Sequence, residues 1–199
     1  MFFPALSIEL RRVLSELEAY GAAHDAAEDL HSRKMLNLDS STAKLVHLLL
    51  LSSERKRVLE IGTSNGYSTL WLASAVHAMG GPPLITIERD HDKIEQARLN
   101  IRHAGLEEAI TLIEGDATTA AATLTGPFDC IFFDADRISA PEQLSILLPK
   151  LQADVLLLAD NALSHPAELA GYIAAVEMIP GITAFTLPVG KGLHIAHRR

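Results

Sequence analysis

The sequence predicts an α/β fold: a doubly wound, mostly parallel, seven-stranded sheet with helices on both faces. Three observations carry that reading. From Arg57 onward, short apolar runs alternate with segments of helical period, the pattern of strand–helix–strand units whose parallel strands are buried on both sides. Turn residues separate the runs, as in Gly80-Gly81-Pro82-Pro83 and Gly126-Pro127. The first run, 58–61, passes directly into a turn carrying Gly62 and Gly66 and then an amphipathic stretch, 67–76. That order reads as a buried strand, a tight loop and a helix N-terminus.

Before this pattern begins, residues 7–20 place Ile8, Leu10, Val13, Leu14 and Leu17 at helical spacing, with Ser7 as N-cap. A second helical stretch is expected over 22–33, a loop over 35–39, and a helix to 51 capped by Ser40 or Ser41. These extra N-terminal helices either cover one face of the sheet or close over a ligand. The remaining strands are expected at 84–87, 110–113, 128–133, 155–159, 182–187 and 193–196. Helices are expected over 91–104, with Ile94, Ala97, Ile101 and Ala104 on one face, over 141–151 and over 166–178. No repeat, low-complexity tract or linker interrupts the chain. Residues 1–199 therefore read as one domain, with N-terminal helices over 1–53 and an α/β core over 57–199.

Composition excludes several classes. At 48% hydrophobic and 21% charged, the chain is globular in character. A net charge of −8 argues against nucleic-acid binding, which needs a basic face. The run Arg55-Lys56-Arg57 reads as a solvated turn. A single cysteine, Cys130, rules out an intrachain disulfide and a zinc–thiolate cluster and fits a reducing cytoplasm. Residues 1–6 lack a basic segment ahead of a long apolar run, so no signal peptide is expected. The apolar run 48–51 is too short to span a bilayer.

In open α/β sheets ligands bind beyond the carboxyl ends of the strands, which puts weight on the strand tips. The first carries Glu60-x-Gly62-x-x-x-Gly66-x-Ser68, without the close G-x-G of a dinucleotide site. Glu60, an acid near the tip of an apolar strand, needs partners. It either braces the loop by accepting backbone N–H bonds or lies near a cationic ligand. Glu88 closes the second strand, where an acid can hydrogen-bond ribose hydroxyls, although a capping or solvated role is equally open. Gly115-Asp116-Ala117 follows the third, where a small residue lets an adenine ring lie flat.

A second group lies at the fourth and fifth tips. Asp134 ends one strand and Asp160-Asn161 the next. Parallel neighbours bring their carboxyl ends together, so two carboxylates and an amide can converge into a set suited to Mg²⁺ or Ca²⁺. The alternative is that each residue caps the helix or turn that follows it.

The ordered series Glu60 to Ser68, Thr86 to Glu88, Gly115 to Ala117, Phe133-Asp134-Ala135-Asp136 and Leu158-Ala159-Asp160-Asn161 resembles class I S-adenosylmethionine (SAM) O-methyltransferases of the catechol and caffeoyl-CoA type, in their bacterial form. The segment from Leu187 to Leu193 resembles that family's closing hairpin. The resemblance covers about residue 35 to the C-terminus and implies a Rossmann-like sheet whose last strand is antiparallel. It implies SAM contacts from Leu38, Glu60, Gly62, Ser64, Ser68, Glu88, Ala117 and Asp134, and a divalent metal, usually Mg²⁺, on Asp134, Asp160 and Asn161. It further implies a small aromatic acceptor with adjacent hydroxyls, and a homodimer.

The chain departs from that family at Arg137, where many relatives carry a lysine read as the general base. A guanidinium stays protonated and is a poor base, though it can stabilise a developing phenolate. On this reading Arg137 and Asp134 are the candidate catalytic residues. Phe185 stands where catechol enzymes place a substrate-binding glutamate, and Lys191 where relatives often have aspartate. The segment after Asn161 is short, which predicts a more open acceptor site. His165 reads as a surface loop histidine within reach of substrate. Two alternatives stay open: a SAM methyltransferase with a vestigial metal site and another acceptor, and a SAM-binding module without catalysis.

Overall fold

Alternating side chains along the central strands divide the interior into two cores. In the computed structural model, which describes residues 6–30 and 33–199, Val58, Cys130, Phe132, Leu156 and Leu158 face one layer. Leu59, Ile61, Ile131, Phe133, Val155 and Leu157 face the other, as the two-residue period of a strand requires. The strands are β1 (Val58–Ile61), β2 (Leu84–Glu88), β3 (Ile110–Glu114), β4 (Phe128–Phe133), β5 (Leu151–Ala159), β6 (Ile182–Leu187) and β7 (Leu193–Arg198). The helices are α1 (Ile8–Ala27), α2 (Ser40–Ser52), α3 (Tyr67–Ala78), α4 (His91–His103), α5 (Ala117–Thr123), α6 (Ala140–Leu147) and α7 (Pro166–Glu177). Helices α1 to α4 pack on the first core and α5 to α7 on the second.

The seven strands lie in the order β3-β2-β1-β4-β5-β7-β6. Every neighbouring pair is parallel except the two made by β7, which runs antiparallel to β5 and to β6. This is the Rossmann-like, doubly wound sheet expected from the sequence. The chain progresses outward in one direction from β1 to β3 and in the other from β4, so the switch point falls between β1 and β4, where such sheets open a crevice. Among the described residues, no helix is long and apolar enough to cross a membrane.

Several element boundaries differ from expectation. The N-terminal segment forms one helix through Ala27, so there is no break at residue 21. Gly21 is tolerated mid-helix because a Cβ there would collide with the Asn37 amide. The expected second helix ran to residue 33, and His31 and Ser32 lie outside the described residues. Burying Leu10, Val13, Leu14 and Leu17 of α1 is worth about 1.5–3 kcal/mol each. Asp39, rather than Ser40 or Ser41, caps α2, accepting from Ser41 N at 2.8 Å. The expected helix over 141–151 stops at Leu147; a 3₁₀ turn holding Pro149 follows, and β5 starts at Leu151.

The basic run before β1 is structural. Arg55 is only 6% exposed and pairs with Asp154 at 2.6 Å. Asp129 accepts from the backbone N–H groups of Lys56 and Arg57 at 2.8 and 2.9 Å. The solvated turn expected here therefore holds for Lys56 and Arg57, which are exposed, and fails for Arg55.

Candidate active site

Glu60 shares the face of β1 that carries Val58, so its carboxylate enters the interior beneath α3 and is fully buried. Ser68 Oγ donates to Oε1 at 2.6 Å, and Thr69 Oγ1 and Thr86 Oγ1 donate to Oε2 at 2.5 and 2.7 Å. Burial pushes the carboxyl up to about 7, against the pull of those three hydroxyls. One sequence expectation for this residue changes. Glu60 takes hydroxyls rather than backbone N–H groups, and it lies behind the cavity wall. Its role in this structure is to tie the start of α3 to β2.

The loop after β1 follows from two backbone demands. Gly62 has φ +104, and a Cβ there would collide with the Asp134 carbonyl, so only glycine permits the close approach of the β1 and β4 tips. Ser64 adopts φ +48, with its N–H donating to Glu88 Oε2 at 2.9 Å. Glu88 Oε1 accepts from the N–H groups of Arg89 and Asp90 at 2.9 and 3.0 Å. Three backbone donors thus fix the acid at the β2 tip. Beyond β3, Asp116 caps α5, accepting from Thr119 N at 2.9 Å, and Ala117 begins that helix.

A strap from Met35 to Leu38 crosses this region. Asp25 accepts from Met35 N and Leu36 N at 2.7 and 2.8 Å, and Asn37 Nδ2 donates to Leu17 O at 2.9 Å. Ser64 Oγ donates to Met35 O at 2.8 Å. Strap, strand tips and the N-terminus of α3 enclose a cavity of about 490 Å³. Of the two roles open to the N-terminal helices, α1 and α2 perform the first and cover one face of the sheet, while the strap between them lines the cavity.

At the far end of the cavity, β4 and β5 are paired through Phe133 and Ala159, and Asp160 N donates to Phe133 O at 3.1 Å. Asp134 and Asp160 follow directly and stand close enough to perturb one another. Burial, then the charges of Asp160 and Glu60, push Asp134 well above the carboxylate range, with Lys191 and Arg137 opposing. Burial also pushes Asp160 up to about 6. Neither aspartate caps a helix. Asp160 is 2% exposed, and its Oδ1 has no hydrogen-bond partner among the described residues.

Asn161, at φ +69, donates through Nδ2 to Ser164 Oγ at 3.2 Å. Arg137 donates through Nη1 to Asn161 Oδ1 at 3.4 Å and through Nε to Glu168 Oε2 at 2.8 Å. Two carboxylates, one of them with an orphaned buried oxygen, and one amide form a donor set that fits a small, hard cation. Among the described residues no group of three or more histidine, cysteine or acidic side chains gathers for a metal, so the amide would be essential to the set.

Leu38, Gly62, Ser64, Ser68, Glu88, Ala117, Asp134, Arg137 and Asn161 all line the cavity, together with His165 and Lys191. Glu60 and Asp160 stand behind it. Phe185 lies on β6, 55% exposed, and takes no part in the wall. Sequence reasoning missed Asp25 and Thr69 and gave Thr86 no partner, because these residues act through groups elsewhere in the chain. Helix α5 was missed as well, although Asp116 followed by Ala117-Thr118-Thr119-Ala120 carries a capping signal.

The family model described as O-methyltransferase matches residues 6–179. The chain is 31% identical over 150 residues to a catechol O-methyltransferase of Mycobacterium tuberculosis, covering 75% of this chain and 67% of that protein. It is 34% identical over 132 residues to a catechol O-methyltransferase of Niastella koreensis, covering 64% of this chain and 59% of that protein. The crystal structure of an O-methyltransferase from Bacillus cereus in complex with SAH superposes with a TM-score of 0.80 at 25% identity, over 94% of this chain and 91% of that one.

Proposed function

The chain belongs to the O-methyltransferase family, and on that premise we propose that it transfers a methyl group from SAM to one hydroxyl of a small aromatic acceptor with adjacent hydroxyls, with the help of a divalent cation such as Mg²⁺. One observation carries the proposal: at the switch point, one cavity is lined by an acid suited to ribose hydroxyls, Glu88, and by Asp134 and Asn161, with Asp160 buried behind them and its charge bearing on Asp134.

The chain's own part is mainly to bind and orient. Glu88, pinned by three N–H groups, offers its remaining lone pairs to a ribose. Ala117 leaves room for a flat base, and Ser68 and Gly62 shape the wall beside the methionine portion. The strap excludes water from the reacting atoms. Asp134, Asp160 and Asn161 would hold the dication, which supplies Lewis-acid activation and a template for two neighbouring oxygens when bound. The Arg137 guanidinium, a poor base, favours negative charge developing on the acceptor oxygen. Holding donor and acceptor in line supplies much of the rate gain without a covalent enzyme intermediate. The short segment after Asn161 supports an open acceptor side and relaxed acceptor choice.

A methyltransferase with a vestigial metal site is favoured by one contact, the Arg137 bond to the amide oxygen that a cation would need. SAM calorimetry followed by a panel of catechols and flavonoids, with and without a chelator, separates the readings. Turnover abolished by the chelator supports metal-dependent transfer, and turnover indifferent to it supports the vestigial site. SAM binding without turnover on any diol supports a binding module. Absence of SAM binding overturns the proposal.

A further inference from the structure

Lys191 lines the cavity beside Asp134 and Asn161. It sits between Gly190 and Gly192 in the β6–β7 hairpin, with φ values of +53 and +93 at the two glycines. A Cβ at Gly190 would meet Asp39 and Thr42 at the start of α2, and one at Gly192 would meet Leu163. Glycine on both sides therefore lets the hairpin press against α2 and against the loop after Asn161. The Lys191 carbonyl accepts from Leu163 N and Ser164 N, both at 3.0 Å. The backbone is thus fixed to the loop that presents Asn161, and the side chain enters the cavity wall with Asp134, Arg137 and Asn161.

The charges around it are unevenly matched. Arg137 already has Glu168 at 2.8 Å. The Lys191 ammonium has no ion pair or hydrogen bond among the described residues, and its field falls on both Asp134 and Asp160. Asp39 also faces this corner and bears on Asp160, but its Oδ1 is committed to the N–H groups of Ser41 and Thr42. Two carboxylates that would receive a dication therefore have an ammonium within electrostatic reach.

We propose that Lys191 is a built-in counter-cation of the Asp134–Asp160 pair, which lowers the affinity of this site for a divalent metal and keeps that metal exchangeable. The inference rests on the metal-dependent reading above. A dication arriving at two carboxylates alone reaches neutrality. Arriving beside Lys191, it leaves positive charge in excess, and like charges in a partly buried site are screened less than in water and repel. A positive charge fixed by the chain therefore acts against metal uptake, whichever divalent ion is tested.

Calorimetric titration of Mn²⁺ into the protein saturated with SAH tests this in the wild type, Lys191→Met and Lys191→Arg. Methionine keeps much of the side-chain volume without charge; arginine restores the charge. The expected result is Mn²⁺ binding about tenfold tighter in Lys191→Met than in the wild type, with Lys191→Arg returned to the wild-type value. A structural disturbance would not be rescued by arginine in this way, and SAH affinity in each variant reports folding independently. Equal Mn²⁺ affinity in wild type and Lys191→Met overturns the role of Lys191 while leaving the metal reading intact. Failure of all three proteins to bind Mn²⁺ overturns both.

Discussion

Thr86 on β2 donates a 2.7 Å hydrogen bond to Glu60 on β1, so an acid inside the sheet is held by a hydroxyl from the neighbouring strand. The carboxyl is pushed by burial from its ordinary 4.5 up to about 7, which sets the sign of a pH effect. Between those values the folded chain keeps a proton that the unfolded chain has released. The associated stability is complete below 4.5 and is lost as pH rises through about 7, a change of roughly 3 kcal/mol. Asp134 and Asp160, also raised, act in the same direction. Buried His47 and His194, held below their usual value by burial, act in the opposite one. The difference between wild type and Glu60→Gln isolates the single group. Denaturant unfolding from about pH 5 to 8 should show the wild type losing ground relative to the variant; a constant difference would mean that Glu60 is ionised throughout.

Gly62 and Gly115 separate backbone strain from collision. Both have positive φ, +104 and +146, but a Cβ at Gly62 strikes the Asp134 carbonyl while one at Gly115 meets nothing within 4 Å. Gly62→Ala should cost roughly 3 kcal/mol, strain plus overpacking, and Gly115→Ala about 1–2 kcal/mol. Unfolding midpoints of the two variants check the order, and equal losses would show that the β1 and β4 tips can part at little cost.

What the sequence made legible was whatever a local pattern determines. The strands at 58–61 and 128–133 could be read because both their faces are buried, leaving runs that are apolar but for one acid each, Glu60 and Asp129, and the strand-tip acids stood out against them. Contacts made at long range were not legible. Arg55 finds Asp154 far along the chain, and nothing near Arg55 distinguishes a buried guanidinium from a solvated one. Glu60 likewise collects partners from α3 and β2. Its need for partners was evident from burial, but their identity depended on how the helix docks. Helix α5 is short and rich in alanine and threonine, with too few large apolar residues to show a period.

Glu88 is expected to carry much of the donor affinity. Its carboxylate is already oriented by Ser64, Arg89 and Asp90 N–H groups, so little ordering remains when ribose hydroxyls approach. Glu88→Ala removes the acceptor and releases the loop at Ser64 together, and SAH binding should weaken by about a hundredfold, in line with loss of charge-assisted bonds. Glu88→Gln retains one acceptor oxygen and should fall between the two. Calorimetry with SAH measures both, and wild-type affinity in Glu88→Ala would remove this residue from the donor site.

Arg137 offers the sharpest separation of stability from chemistry. Its bond to Glu168 joins side chains that are 23% and 44% exposed, so breaking it should cost less than about 1 kcal/mol once solvent screening is allowed for. If the guanidinium favours charge on the acceptor oxygen, its loss falls on the transition state. Arg137→Ala should then lower kcat by about 10- to 100-fold with little change in KM. Arg137→Lys keeps a positive charge but loses the fork that reaches Glu168 and Asn161 together, and should recover part of the rate. The alanine change also frees Asn161 Oδ1, which Arg137 otherwise contacts at 3.4 Å, so Mn²⁺ binding should strengthen in that variant as turnover falls. Opposite movements of metal affinity and kcat would place Arg137 on the acceptor rather than on the cation. Unchanged kcat in Arg137→Ala would remove it from the mechanism.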